Sequence, residues 1–402
     1  MSGSRRTRAW LAGLLCLLAL AFGTSCGGPA GQDSATEAVE RLLDRRAAAV
    51  LERDEAAYLA TGVPGTARRD DEFRNIAQVP LGSWEYRLNR LDRSGATATA
   101  AVQLRYRLDG HDRAPQVTSR TLDLAERDGR WYVTAERPDR GATQQLWEQG
   151  PVTAVHGERS LVLGAGPSRE RLRGYADLAD RAVPQVHDAW GRDWPGRVVV
   201  LVPGSLDAMA GLLGADAAGY RGIAAVTTGD VDGSKKAPAD RVIINPEAYD
   251  VLGDLGQQLV LTHETTHVAT RAHTSAATPL WLSEGFADWV AYRGSGRGPQ
   301  RIAPELTRAV QRGDLPAALP TDEDFAFTGD AGRLAQAYEG GWLASRMIAG
   351  RWGEEKLLAF YQAVGEHKRR AGAVEAALRD VLDTTPGEFT ADWRAYLRDQ
   401  LG

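Results

Sequence analysis

His263 and His267 stand four residues apart with Glu264 next to the first, in the order His-Glu-Thr-Thr-His. On a helix that spacing turns both imidazoles the same way, one turn above the other. Two nitrogens so placed can take a single Zn²⁺, and the neighbouring carboxylate can then work on a water at the metal. A zinc centre that does chemistry needs a third protein ligand and one open position, and two histidines with a glutamate is a standard set. Glu284, in Trp-Leu-Ser-Glu-Gly-Phe-Ala-Asp, is the candidate for the third. Asp288 follows four residues later on the same helical face, where it can accept a hydrogen bond from a ligand histidine.

Two elements must position these groups. The run from Asp254 to Thr262 has apolar residues at helical spacing, so the first motif lies in a helix that packs into a core. Leu280, Trp281, Phe286, Ala287, Trp289 and Val290 give a second apolar helix that can lie beside it.

His-Glu-x-x-His followed by Glu-x-x-x-Asp resembles the gluzincin metallopeptidases, and the wording around Glu284 looks most like thermolysin-like domains of exported bacterial proteins. The resemblance covers roughly the last 250 residues and implies one zinc held by His263, His267 and Glu284. It implies Glu264 as general base and then acid, and Asp288 as the residue orienting His263. Tyr338-Glu339-Gly340-Gly341 resembles the Tyr-x-x-Gly segment of aminopeptidase-like members, which implies that the Tyr338 hydroxyl stabilises an oxyanion. The other reading of Tyr338 is a core tyrosine packed under the site. The implied fold is a mixed sheet leading into the zinc helix, with an edge strand that pairs with an extended peptide. Gly222–Val226 is the candidate edge, with Val242–Ile244 its rival. The Gly-x-Met-Glu-Asn strand of aminopeptidases is absent, since no Met lies between Met209 and Met347, and this favours cleavage within chains.

The remaining composition bounds the reading. A chain of 402 residues, 43% hydrophobic and 25% charged, has room for two or three globular domains. The formal charge of −5 falls to −8 without the first 25 residues, which carry three arginines and no acid. That balance sets aside general nucleic-acid binding. Arg5, Arg6 and Arg8 followed by the apolar run from Ala9 to Gly23 read as an export signal over residues 1–26, with an uncleaved anchor as the rival. Phe-Gly-Thr-Ser-Cys-Gly-Gly resembles a lipoprotein signal, implying lipidation at Cys26 and a membrane contact through that anchor alone; Gly23 departs from the pattern and leaves ordinary cleavage open. Cys16 and Cys26 both lie in this leader, so the body has no disulfide and no thiol ligand.

After a small-residue tether over 27–34, apolar residues from Ala35 to Ala60 fall on one helical stripe. Four strands follow: Ser83–Leu91, Ala96–Leu108, Gln116–Arg127 and Arg130–Glu136, punctuated by Gly95, Asp109-Gly110 and Asp128-Gly129. This layout over 35–137 resembles the NTF2-like cone and carries no motif. His111, in a polar turn, reads as solvated, as do His273 and His367, the last a minor candidate for a second oxyanion donor. Residues 138–155 are polar and read as a linker. Residues 156–402 form the second domain, in which Asp230 and Asp232 read as turn acids in preference to a calcium loop. The expectation is an α+β chain: a helix on a curved antiparallel sheet, then a mixed sheet and a mostly helical zinc-binding half. The expected chemistry is hydrolysis of peptide or protein substrates outside the cytoplasm. Two other functions stay open, a non-catalytic envelope lipoprotein working through its N-terminal domain and a zinc hydrolase of cell-wall amides. A structural zinc is disfavoured, because three ligands and a base leave a position open.

Overall fold

The computed structural model describes residues 30–63, 68–229, 238–327 and 330–402. The export signal, Cys26 and the loop acids Asp230 and Asp232 lie outside the described residues.

Three helices, α1 (Ala30–Glu52), α2 (Glu55–Ala60) and α3 (Arg68–Ala77), precede a four-stranded antiparallel meander. Its strands are β1 (Leu81–Ser94), β2 (Thr97–Leu108), β3 (Gln116–Arg127) and β4 (Arg130–Pro138), in sequential order. The expected single helix over 35–60 is broken at Arg53, which takes a left-handed φ of 57°. Asp54 then caps α2, its side chain accepting from the Ala57 N–H. Register shifts at Leu81/Ser83 and Leu88/Arg90 in β1 are bulges, which bend a strand. The apolar stripe of α1 (Val39, Leu42, Leu43) packs on Ala100, Val102, Leu122 and Leu124. Arg46 of the same helix is buried too, bonded to Glu136 at 3.1 Å, with Thr61 and Tyr58 around it.

The second sheet is mixed. Its strands β5 (Val152–His156), β6 (Ser160–Ala165), β7 (Val198–Val202), β8 (Ala225–Thr228) and β9 (Arg241–Ile244) lie in the order β5-β6-β7-β9-β8. β6, β7 and β9 run parallel, while β5 and β8 are antiparallel edges. This order decides between the two edge-strand expectations. β9 is paired on both sides, so Val242–Ile244 offers no free edge; of the two candidates, β8, beginning three residues after Gly222, is the edge strand among the described residues.

Residues 138–155, polar in sequence, are packed in the structure. Leu146 and Trp147 form a buried 3-10 turn, with Trp147 against Trp84 and Tyr106 at centroid distances of 5.4 and 5.0 Å. One apolar core thereby runs from Trp84 and Leu104 through Trp147 to Leu161, Val199 and Ile243 of the second sheet. Between the strands lie α4 (Arg169–Trp190), capped by the Ser168 side chain, which accepts from the Arg171 N–H, and α5 (Leu206–Leu213).

From α6 (Pro246–Tyr249) onward the chain is helical: α7 (Asp254–Thr270), α8 (Leu280–Tyr292), α9 (Pro299–Ile302), α10 (Pro304–Gln311) and α11 (Ala331–Trp352). It ends in α12 (Glu354–Gly365), α13 (Ala373–Leu382) and α14 (Pro386–Leu401), the last opened by Thr385 and Glu388 in a reciprocal cap. Phe286, Trp281, Leu343, Phe360, Phe389 and Trp393 centre the core that holds these helices together.

Candidate metal centre

α7 carries His263, Glu264 and His267; α8 carries Glu284 and Asp288. α7 packs directly against α8, which brings them to one place, and α8 in turn crosses α11 at close range. A Cβ built on Gly285 would sit 2.2 Å from the Gly341 carbonyl, and one on Gly341 would sit 2.5 Å from the Trp281 carbonyl. The two backbones therefore touch, which only glycine permits at these positions. Tyr338 lies on α11 three residues before Gly341 and shares a cavity wall with Asp288 of α8.

Three donor atoms converge. His263 Nε2 lies 3.0 Å from His267 Nε2 and 3.2 Å from Glu284 Oε2, and His267 Nε2 lies 3.4 Å from that same oxygen. Zinc–nitrogen bonds of about 2.0–2.1 Å at tetrahedral angles put donors about 3.3 Å apart. The observed separations bracket that figure, so the donor set fits a zinc ion. Among the described residues this is the group of three whose ligand atoms lie within 4.8 Å of one another. Asp288 Oδ1 sits 2.9 Å from His263 Nδ1, where it accepts that ring's N–H and leaves Nε2 free to ligate. The side chains of His263, His267 and Glu284 are 14%, 17% and 17% exposed, enough for a small molecule to reach them.

Charge follows the geometry. Burial draws the His263 imidazole down, but the Asp288 and Glu284 carboxylates outweigh it and hold that ring well above its usual value. Burial pushes Glu284 up, and His267 and His263 outweigh it, leaving the carboxyl well below its usual range.

Glu264 is buried, and its Oε2 accepts a 2.6 Å hydrogen bond from the Thr227 hydroxyl of β8. The same hydroxyl is 3.1 Å from the Glu264 carbonyl. Thr227 is not visible as a site residue in the sequence, since nothing sets it apart from its neighbours in a short strand. Tyr338 stacks edge-on against Phe325, and its hydroxyl has no hydrogen-bond partner among the described residues. Burial, then the charges of Glu284, Asp288 and Glu264, hold that hydroxyl neutral well beyond its usual range. It is thus a free donor within electrostatic reach of all three carboxylates. Beside Tyr338 and Asp288 lies a cavity of about 390 Å³ with Ile223, Ile302, Leu334 and Trp342 in its walls.

The other histidines stand apart. His367 is exposed, as its charged turn suggests. His273 packs edge-on against Trp190, and His111 is half-buried with Nδ1 2.9 Å from the Asp109 carbonyl.

No protein-family model matches this sequence, and no curated protein matches it. Among solved structures, the chain is similar to a two-domain M1 zinc metallopeptidase bound to L-arginine, at 16% identity and a TM-score of 0.35, over 77% of this chain and 62% of that one. It is likewise similar to the M1 zinc metallopeptidase of Deinococcus radiodurans bound to a Tyr-Ser-Ala substrate, at 15% identity and a TM-score of 0.34, over 76% and 62%. Yeast LTA4 hydrolase aligns at 10% identity and a TM-score of 0.37, over 80% and 60%. The chain spans about three-fifths of the length of these structures. Likeness at this distance carries no weight for activity, which is argued below from the site itself.

Proposed function

We propose that this chain is a zinc-dependent peptidase of the gluzincin kind. One observation carries the reading: two imidazoles and a carboxylate meet at metal-ligand spacing, and a buried, oriented carboxylate stands between the two histidines on the same helix. His263, His267 and Glu284 would hold the ion. When bound, zinc supplies Lewis acidity, making a water acidic near neutral pH and polarising a carbonyl. Glu264, its Oε2 fixed by Thr227, takes the proton of the attacking water and passes it to the leaving amine. Tyr338 donates its unengaged hydroxyl to the charge that develops on the carbonyl oxygen. Asp288 keeps His263 in one tautomer and one orientation.

The free edge of β8 supports a peptide as substrate, because an extended chain can add there by backbone hydrogen bonds. The apolar cavity beside Tyr338 offers room for one large side chain. We place the reaction outside the cytoplasm on the character of the leader sequence, with Cys26 as the lipid anchor, and we read the N-terminal layer as NTF2-like on its helix-and-meander layout. Glu264→Gln should keep zinc bound while peptide hydrolysis falls by about 10²–10⁴-fold. Digestion of a broad peptide library with unchanged rate in this variant would end the proposal.

A further inference from the structure

A cleft of about 610 Å³ opens between the turn after β2, the turn after α4 and the C-terminal end of α7. Arg113, Arg192, Arg197 and Arg271 line it. The chain as a whole is acidic, at a formal −5, so three arginines beyond Arg271, which is paired with Asp240, depart from the average surface. The acids nearby are largely committed. Asp112 is buried in a two-pronged pair with Arg241, at 2.9 and 2.7 Å, and Asp240 accepts from Arg271 Nε at 2.7 Å. Among the described residues, Asp193 is the wall carboxylate left over.

Arg113 and Arg192 are exposed and, among the described residues, pair with no carboxylate. Arg197 reaches only the Gly110 carbonyl, at 3.5 Å. Position matters as much as charge. Arg271, the C-cap of α7, follows His267 by four residues, about 6 Å further along the axis. The cleft's walls therefore run from the residues just beyond His267 at the end of α7 to the N-terminal layer.

We propose that this cleft binds acidic side chains of a peptide substrate, so that the N-terminal layer takes part in selecting what is cleaved. Arginine suits such a surface, since its planar fork matches a carboxylate and it gives up hydration more readily than lysine. A concave, low-dielectric wall concentrates the field of exposed charges. The substrate assignment rests on the peptidase reading; the cleft's preference for carboxylates does not.

The test is fluorescence anisotropy on the full chain carrying Glu264→Gln, which blocks turnover. The probes are a labelled twelve-residue peptide rich in Asp and Glu and its Asn/Gln counterpart. The acidic peptide should bind about tenfold more tightly at low ionic strength, with the gap closing as salt rises. Adding Arg113→Gln and Arg192→Gln, two side chains that hold nothing in the fold, should remove about fivefold of that affinity and leave the neutral peptide unaffected. Equal binding of the two peptides, or an unaffected double variant, overturns the proposal. So does displacement by a single-stranded oligonucleotide of equal charge as readily as by unlabelled peptide, which would mark a general polyanion surface. Charge-selective binding by a wild-type chain that cleaves no peptide would sink the peptidase reading and leave the cleft standing. Cleavage without charge preference would do the reverse.

Discussion

Glu264 and Glu339 are both buried glutamates beside the candidate centre, and their partners differ in kind. Glu264 is held by a single hydroxyl from the edge strand. Glu339 accepts from the Glu305 and Leu306 N–H groups at 3.1 and 2.6 Å, capping α10, whose own N-cap, Ala303, has no side chain to offer. Burial pushes the Glu339 carboxyl up to about 7, with the Leu306 N–H and Arg308 pulling the other way. Folded Glu339 therefore keeps a proton that an unfolded glutamic acid has released above its usual value of about 4.3. Its contribution to stability is complete below about pH 4 and is lost as the pH rises through about 7. Glu339→Gln should flatten that decline, measured as urea midpoints from pH 4 to 8; an unchanged slope would show that Glu339 titrates normally. Glu264 is legible from its place in a motif, whereas the capping role of Glu339 is not, because its partners lie 33 and 34 residues away in sequence. Thr227 is hidden for the same reason.

The Gly285–Gly341 crossing seats α8, which carries Glu284 and Asp288, against α11, which carries Tyr338. In an ordinary helix interior, glycine costs about 1 kcal/mol relative to alanine, so Gly→Ala there stabilises. At Gly285 the added methyl would meet the Gly341 backbone, which cannot move aside as a side chain would. Gly285→Ala should therefore destabilise by about 1–3 kcal/mol and separate Glu284 from the histidines, lowering zinc affinity with it. A gain in thermal stability would contradict this. Helix and strand positions are largely legible in the sequence: the four strands of the meander and the two helices of the site lie close to where turn residues and periodicity put them. What periodicity misses is local backbone chemistry. The break of the first helix at Arg53 needs a left-handed residue that no glycine announces. The edge strand is legible as a pair of alternatives, and only sheet order chooses between them.

At the scale of the whole molecule, the polar stretch after the meander behaves as part of the core, since Leu146 and Trp147 are enough to anchor it. Asp112 fixes the same join from the other side, with its side chain fully buried against Arg241 of β9. In sequence it sits in a Gly-His-Asp-Arg turn and nothing marks it, because its partner is 129 residues away. Asp112→Ala would leave Arg241 buried without a counter-charge, at a cost of about 3–5 kcal/mol in urea unfolding. A loss under about 1 kcal/mol would mean that the pair is screened by water. Everything proposed about activity depends on one ion seated between α7 and α8. Elemental analysis of chain purified with zinc supplied should give one zinc per chain. His263→Ala, His267→Ala and Glu284→Ala should each lose it while keeping their helical circular dichroism. A wild-type chain that retains no zinc, or a triple variant that still holds a full equivalent, would contradict the account at its root.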